Sequence, residues 1–424
     1  MPLGVYISVP FCRTKCSFCN FASGVFSREH FDRYVAHLER ELDGAEELAR
    51  KMGGDFVRQA DSIYLGGGTP SVLAPDQLER LFAAVRRNFD VEPEAEITVE
   101  CAPGTLTPEL VQTLLRCGVN RVSLGVQSFV DQESRSVGRL HTREVTLADI
   151  GRLRQAGITH LTVDLIAGLP YQTRESWTCS LDQVIAAGVP HVSVYMLEVD
   201  EDSRLGRELM AGGTRYHAHH VPDDDLTADL YEQACSTLNA AGITQYEISN
   251  FARGELTDEG FPVFASRHNL KYWLRQPYLG FGVDAHSMLR AGRPGSPHAA
   301  VRFATSDDLD QVLSGAPRTG TKVNGRIAIE EAWFLGLRLN RGVDLVGMHE
   351  EYGIDSVERF RGALAQMVGE GLLDLEDGFV RLTNRGRLLS NEVFARFLTE
   401  EAPLDPIHMD VEPGLTTAKL PILR

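Results

Sequence analysis

The sequence predicts an α/β fold, a partial (β/α)6 barrel of the TIM type followed by a C-terminal winged-helix-like α+β domain. Short strand-like runs take turns with helical periodicities across positions 5–197, and such alternation builds a parallel sheet with right-handed crossovers. Polar residues recur just behind successive strands, where barrels of this kind place their chemistry. Past position 323 the pattern changes to helices followed by a hairpin.

The first strand is the alternating run Val5-Tyr6-Ile7-Ser8-Val9-Pro10. Phe31, Tyr34, Val35, Leu38, Leu42, Ala45 and Leu48 have the three-four spacing of an amphipathic helix over 28–50, which Gly53-Gly54 ends. A buried strand at 62–65 runs into Gly66-Gly67-Gly68-Thr69-Pro70, and a helix over 75–88 follows. Then come strand 96–100, helix 108–117 with Thr107 as cap and Pro108 in its first turn, and strand 121–125. Helix 142–156, strand 160–165, helix 174–187 and strand 191–197 complete the set. Six units leave the barrel incomplete.

These elements divide the chain into a barrel (1–200), a barrel extension (201–322), a C-terminal domain (323–400) and a tail (401–424). Segments 293–297 and 314–320 read as linkers. In the C-terminal domain, helices are expected at 330–339 and 357–368, strands at 372–375 and 379–382 around Glu376-Asp377-Gly378, and a last helix at 383–397. The proline-containing segment 402–424 lacks periodicity and is expected to be extended or disordered.

With 424 residues, 43% apolar and 24% charged, the composition is that of a globular protein of about two domains. A net charge of -17 argues against a nonspecific nucleic-acid or anionic-membrane surface as the main partner. Seven cysteines, three of them in one loop, fit a reducing compartment. Cys101, Cys117, Cys179 and Cys235 are scattered and read as small buried apolar groups. The N-terminus has no secretory pattern, and no run of about 18 apolar residues could span a bilayer, so the expected location is cytoplasmic. Asp200-Glu201-Asp202 and Asp223-Asp224-Asp225 read as solvated loop and helix-start positions.

Behind the first strand stand Cys12, Cys16 and Cys19. Three thiolates from one loop suit an iron-sulfur cluster, and a four-iron cluster held by three of them keeps one iron open to a chelating molecule. Structural zinc would need a fourth ligand, for which His30 is the nearest downstream candidate, and a disulfide would strand one cysteine. Further along the same rim, Glu100 ends the third strand, Gln127 lies just past the fourth, and Asp164 lies near the end of the fifth.

Val9-Pro10-Phe11-Cys12, Gly66 to Pro70, Gly125-Val126-Gln127-Ser128-Phe129 and Asp164 to Pro170 occur in the order that resembles the radical S-adenosylmethionine (SAM) superfamily. The likeness extends to about residue 400, in the oxygen-independent coproporphyrinogen III oxidase branch. It implies a 4Fe-4S cluster on Cys12, Cys16 and Cys19, with SAM on its open iron. Gly67, Gly68 and Thr69 would meet the methionine part and Glu100 the ribose, with Tyr6 and Phe18 alongside. Gln127, Arg139 and Asp164 match further positions around the cofactor.

Within the branch the chain resembles the HemW-type haem chaperones. Phe21 stands where the oxidases carry a further cysteine, and the chain begins too near its first strand for their N-terminal extension. His268-Asn269-Leu270-Lys271-Tyr272-Trp273 matches the family's His-Asn-x-x-Tyr-Trp signature, associated with haem handling. An imidazole can ligate haem iron, and aromatic rings offer a flat surface to a macrocycle; spacing alone favours an ordinary packed segment with a hydrogen-bonded His268, and the family match reverses that order.

The resemblance implies a haem chaperone that binds cluster, SAM and haem and delivers haem to an acceptor protein. The alternative is an oxidase that removes propionate carboxyls from coproporphyrinogen III. A winged-helix DNA-binding regulator is a remote third reading, because 356–371 sets Arg359 and Arg361 against Glu358 and Glu370, whereas a phosphate-contacting helix is basic. No nucleic-acid partner is expected, and the C-terminal domain reads as a lid or docking surface.

Overall fold

A computed structural model describes residues 1–292, 299–398 and 406–407. At its centre lie six parallel strands in chain order: β1 (Leu3–Val9), β2 (Gln59–Gly67), β3 (Asp90–Cys101), β4 (Arg121–Gln127), β5 (His160–Ala167) and β6 (His191–Met196). The connections carry α1 (Arg28–Asp43), α2 (Ala45–Met52), α3 (Pro75–Asn88), α4 (Pro108–Arg116), α5 (Asp131–Ser136), α6 (Arg143–Gln155) and α7 (Arg174–Ala186). Thr107, Thr142 and Thr173 cap α4, α6 and α7, each hydroxyl accepting a backbone N–H of the first turn.

After β6 come α8 (Arg204–Ala211), α9 (Asp224–Ala240), β7 (Thr244–Gln245), β8 (Asn250–Ala252), α10 (Arg267–Trp273), β9 (Tyr278–Phe281), β10 (His286–Arg290), β11 (Ala300–Ala304), α11 (Leu309–Leu313) and β12 (Thr319–Val323). These strands lengthen the same sheet. β9 lies parallel beside β1, with β10, β11 and β12 following antiparallel, while β8 and β7 extend the β6 edge. Among the described residues no strand pair joins the two ends, so the barrel is open.

Strand register sorts the side chains by polarity. Ile7 faces Leu65, Ile63 faces Ile97, Val122 faces Leu161 and Leu165 faces Val194, and all of these enter the core packed by the surrounding helices. The alternate positions pair Tyr6 with Tyr64, Ser62 with Glu96, Ser123 with Thr162 and Asp164 with Ser193. Successive side chains of a strand point to opposite faces, so the second set lines the lumen. Parallel strands covered by apolar layers on both sides read as continuous apolar runs. These alternate because their inner face is polar.

The C-terminal domain holds α12 (Gly325–Leu337), β13 (Val343–Asp344), α13 (Leu345–Tyr352), α14 (Asp355–Glu358), α15 (Arg361–Gly369), β14 (Leu373–Glu376), β15 (Phe379–Leu382), α16 (Asn384–Leu388) and α17 (Ser390–Ala395). Its sheet, ordered β13-β15-β14, and the preceding helices have the winged-helix arrangement. Trp333 stacks on Phe397 at 5.1 Å and meets Phe360 edge-on at 5.9 Å in its core.

Several boundaries differ from expectation. Helix 28–50 breaks at Gly44, whose N–H bonds to the carbonyls of Arg40 and Glu41 before the chain restarts as α2; glycine costs little to bend out of a helix. The expected helix 357–368 divides where Phe360 turns into the core, and 383–397 divides at Leu389. β4 includes Gln127, which therefore ends the strand instead of following it. Segment 314–320 includes the start of β12, so it is not wholly a linker. Segment 293–297, and 402–424 apart from the short strand Pro406–Ile407 beside β12, lie outside the described residues. Asp223 caps α9 through Leu226 N–H, as its helix-start position predicts.

The N-terminal end of the lumen is closed by α10. The backbone N–H groups of Arg267 and His268 donate to the two Glu96 carboxylate oxygens at 3.1 and 3.0 Å. Arg121, 2% exposed, reaches the same carboxylate at 3.3 Å and donates to Phe264 O and Thr162 Oγ1. Removing one member of a buried pair leaves the other charge uncompensated. Glu96→Ala is therefore expected to cost about 3–5 kcal/mol in urea unfolding at neutral pH, and Glu96→Gln less. A loss below about 1 kcal/mol would mean that this carboxylate does not hold the floor.

Candidate functional site

The opposite end of the lumen is built from the strand ends. After β1 the chain folds back on itself: Cys12 N–H donates to Gly24 O and Gly24 N–H to Pro10 O, both at 2.8 Å. Phe11 anchors this return, stacked on Phe31 at 3.9 Å and edge-on to Phe26 and Tyr34. The loop so pinned carries all three cysteines, with Cys16 buried and Cys12 and Cys19 partly exposed. Thr69 Oγ1 donates to Cys12 Sγ at 3.7 Å, and Cys19 Sγ lies 3.8 Å from Ser23 Oγ. Burial pushes the Cys12 and Cys16 thiols above their ordinary pKa, while the nearby Arg139 charge acts in the opposite direction.

The triple glycine has its own local reason. A Cβ on Gly68 would come within 2.8 Å of the Val9 and Phe11 carbonyl oxygens, so only glycine lets β2 close on the cysteine loop. Gly68 N–H and Thr69 N–H donate to those same carbonyls at 2.8 Å. These two donors are thus committed to the loop. Gly67, at φ 101°, uses the left-handed freedom of glycine.

Across the mouth, Tyr64 donates to Glu100 Oε1 at 2.8 Å and Ser123 to Asp164 Oδ2 at 3.1 Å. Burial, reinforced by the Asp164 charge, pushes Glu100 up to about 7, and burial also raises Asp164. Arg139 lowers both. A Cβ on Gly125 would lie 3.0 Å from Arg139 Nη2 and 3.3 Å from Gln127 Nε2, so both side-chain tips converge over that glycine. Gln127 is held at φ 69°, an uncommon conformation for a residue other than glycine. Arg139 Nε is buried with no hydrogen-bond partner among the described residues. Phe18 packs against Val137, Ile166 and Leu169 on the same rim. Tyr6 lies deeper, its ring 6.1 Å from that of Tyr64.

The expected haem segment is elsewhere. His268, Asn269, Tyr272 and Trp273 belong to α10, on the floor rather than the cysteine mouth. His268 is 1% exposed and has both ring nitrogens engaged, Nδ1 with Ser62 Oγ at 3.0 Å and Nε2 with Tyr272 OH at 2.8 Å. Burial and the Lys271 charge lower its pKa to about 3, so the ring is neutral. Trp273 lies beneath Arg338 of the C-terminal domain, 4.1 Å from guanidinium carbon to ring centroid. His268 meets the lumen residues Tyr6 and Tyr64 ring to ring at 6.3 and 5.2 Å, and Asn269 borders a lumen cavity of about 50 Å³ with Thr98, Arg121, His191 and Tyr195. Thr98 Oγ1 and His191 Nδ1 are buried without partners among the described residues. A space of that size is large enough to hold water.

Six of the lumen residues, Tyr64, Thr98, Ser123, His191, Ser193 and Tyr195, were not singled out as site residues from the sequence. The alternation His191-Val192-Ser193-Val194-Tyr195-Met196 carries the signal, since every second residue is polar. Cys101 and Cys117 are buried as expected, whereas Cys179 and Cys235 are only partly so.

The donor set fits an iron-sulfur cluster and a polar cofactor. Three thiols share one pinned loop, and an unpartnered guanidinium nitrogen lies beside two carboxylates.

Comparison with known proteins agrees. Residues 6–184 match the Radical SAM superfamily model and 326–389 the HemN C-terminal domain model. The heme chaperone HemW of Lactococcus lactis subsp. lactis is 33% identical over 406 residues, covering 94% of this chain and 98% of the relative. That of Bacillus subtilis is 33% identical over 398 residues, covering 93% and 99%. The solved structure of coproporphyrinogen III oxidase (HemN) from Escherichia coli, a radical SAM enzyme, superposes with a TM-score of 0.76 at 25% identity, covering 93% of this chain and 90% of that one. With its cysteine loop, polar barrel mouth and winged-helix unit in this order, the chain belongs to the HemW family, on the radical SAM fold.

Proposed function

We propose that this chain is a cytoplasmic haem chaperone that carries a 4Fe-4S cluster and SAM and passes haem to an acceptor protein. The observation that carries the reading is the near-full-length likeness to heme chaperones of a chain with three thiols and an unpaired buried Arg139 nitrogen at one mouth. Cys12, Cys16 and Cys19 hold the cluster. Thr69 orients the Cys12 sulfur, and Glu100 accepts from the ribose hydroxyls. Gln127, Arg139 and Asp164 supply the remaining polar contacts, with Phe18 and Tyr6 as apolar and aromatic walls. The pair of cofactors supplies one-electron reduction of the sulfonium when bound.

His268, Asn269, Tyr272 and Trp273 serve haem handling from the floor, by fixing α10 and its contact with the C-terminal domain. Direct ligation by His268 would require breaking one of its two hydrogen bonds and freeing that nitrogen from burial. The oxidase reading draws on the likeness to HemN, but the family resemblance implies a further cysteine in the oxidases at the position held here by Phe21, which is 52% exposed. As for DNA binding, Arg361 is already forked onto Glu358 at 2.8 Å.

Three outcomes test this reading. After anaerobic reconstitution, haem titration should give a Soret shift, and incubation with coproporphyrinogen III, SAM and reductant should give no protoporphyrinogen; the reverse pair of results would sink it. Cys12→Ala, Cys16→Ala and Cys19→Ala should each abolish the visible absorption of the cluster, and survival of that absorption in any of them would remove the residue from the ligand set. Glu100 gives a pH signature. Its folded pKa is raised, so its stabilising contribution is complete below about 4.5 and is lost as pH rises through about 7. The unliganded protein should therefore lose on the order of 3 kcal/mol between pH 5 and 8 from this group. Urea unfolding of Glu100→Gln should show a flatter pH profile, and an unchanged slope would refute the assignment.

A further inference from the structure

We infer that Tyr64 and His268 are positioning residues for Glu100, through which α10 on the floor sets the grip of the mouth on the ribose of SAM. The inference rests on the assignment of Glu100 to the ribose, and deepens it by giving the His268 segment a task at that site.

The path runs through side chains that touch. β2 presents Ser62 and Tyr64 on its lumen face, two residues apart. His268 engages both: its Nδ1 bonds to Ser62 Oγ at 3.0 Å, and its ring lies over that of Tyr64 with centroids 5.2 Å and planes 28° apart. On the other side the imidazole meets Tyr6 at 6.3 Å, and a Cβ on Gly4 would lie 3.3 Å from its Cε1, so β1 and β2 hold it as a wedge. Tyr272 OH closes the remaining nitrogen at 2.8 Å. The helix itself is fixed three residues further on, where the buried Lys271 pairs with Asp61 at 2.7 Å and donates to Pro2 O at 3.0 Å.

Beyond this contact, Tyr64 OH donates to Glu100 Oε1 at 2.8 Å. Gly66 makes room for the pair, since a Cβ there would come within 2.8 Å of Tyr64 Cε1 and 2.9 Å of Glu100 Oε1. An ionised carboxylate can only accept, so the phenol bond favours the charged form of Glu100 and fixes the direction of one oxygen, leaving the other for ribose hydroxyls. A group held in place before its ligand arrives loses less freedom on binding. Without the imidazole, Tyr64 has space to turn into and the carboxylate loses its fixed direction. Phenylalanine at position 64 would keep the ring contact and remove the donor alone.

The test measures dissociation constants of the cluster-loaded full chain for SAM and for its 2′,3′-dideoxy analogue, which lacks the ribose hydroxyls, in wild type, E100Q, Y64F and H268A. The wild type should prefer SAM, and E100Q should erase most of that preference. Y64F should weaken SAM binding about tenfold, as for loss of a hydrogen bond to a charged group, and H268A about threefold, with the affinity for the analogue unchanged in both. If both variants keep the wild-type preference, the inference is overturned and Glu100 keeps its assignment. If H268A weakens both ligands alike, His268 is a general support of the barrel and the inference is overturned for α10. If the wild type does not tell the two ligands apart, the Glu100 assignment falls and the inference with it. Should H268A not fold, H268Q, which loses the ring but keeps a polar reach to Ser62, takes its place with the same expectation.

Discussion

The alternation of polar and apolar side chains along six parallel strands is the constraint on which the rest of the molecule depends. Ile63, Val99, Val122, Val163 and Val194 on one face drive the helices onto the sheet, and burial of each such side chain is worth about 1.5–3 kcal/mol. The opposite face then has to be polar, and a polar interior demands partners for every group. Tyr64 with Glu100, Ser123 with Asp164 and Arg121 with Glu96 are that demand being met. It is left unmet at Arg139 Nε and at Thr98 Oγ1 and His191 Nδ1, the last two on a cavity of about 50 Å³.

The lumen thus has two ends with different tasks. At one, Phe11 and Gly68 pin a cysteine loop against the strand ends, and the carboxylates of Glu100 and Asp164 resist ionisation because they are buried near each other. At the other, α10 closes the barrel through Glu96 and hands the load to the C-terminal domain through Trp273 and Arg338. Arg275 continues that connection, 2.8 Å from Glu331 of α12 and 3.0 Å from Tyr352 OH. The ring of His268 lies 5.2 Å from that of Tyr64, the residue that donates to Glu100, so the two ends are in contact through a single aromatic layer.

Much of this was legible in the residues. Six strand-helix units, the cap Thr107, and the positions of Glu100 and Asp164 towards the ends of their strands follow from local periodicity and spacing, and the structure has them. The location of His268 was not legible, because its partner Ser62 is 206 residues away and no local pattern encodes that meeting. The break at Gly44 was hidden by apolar spacing that continues through it. Arg139 was readable only by resemblance, since it follows α5, a six-residue helix with no apolar period.

The ion pair between Arg275 and Glu331 also bears on how the chain can be divided. Both side chains are 3% exposed, and they come from opposite sides of the boundary between sheet and winged helix. A barrel severed from its C-terminal unit would strip Arg275 of both Glu331 and Tyr352 and uncover the Trp273 face of α10 on which Arg338 packs. The helix that stoppers the barrel's base is thus held from both sides, by Glu96 within and by the winged-helix unit without.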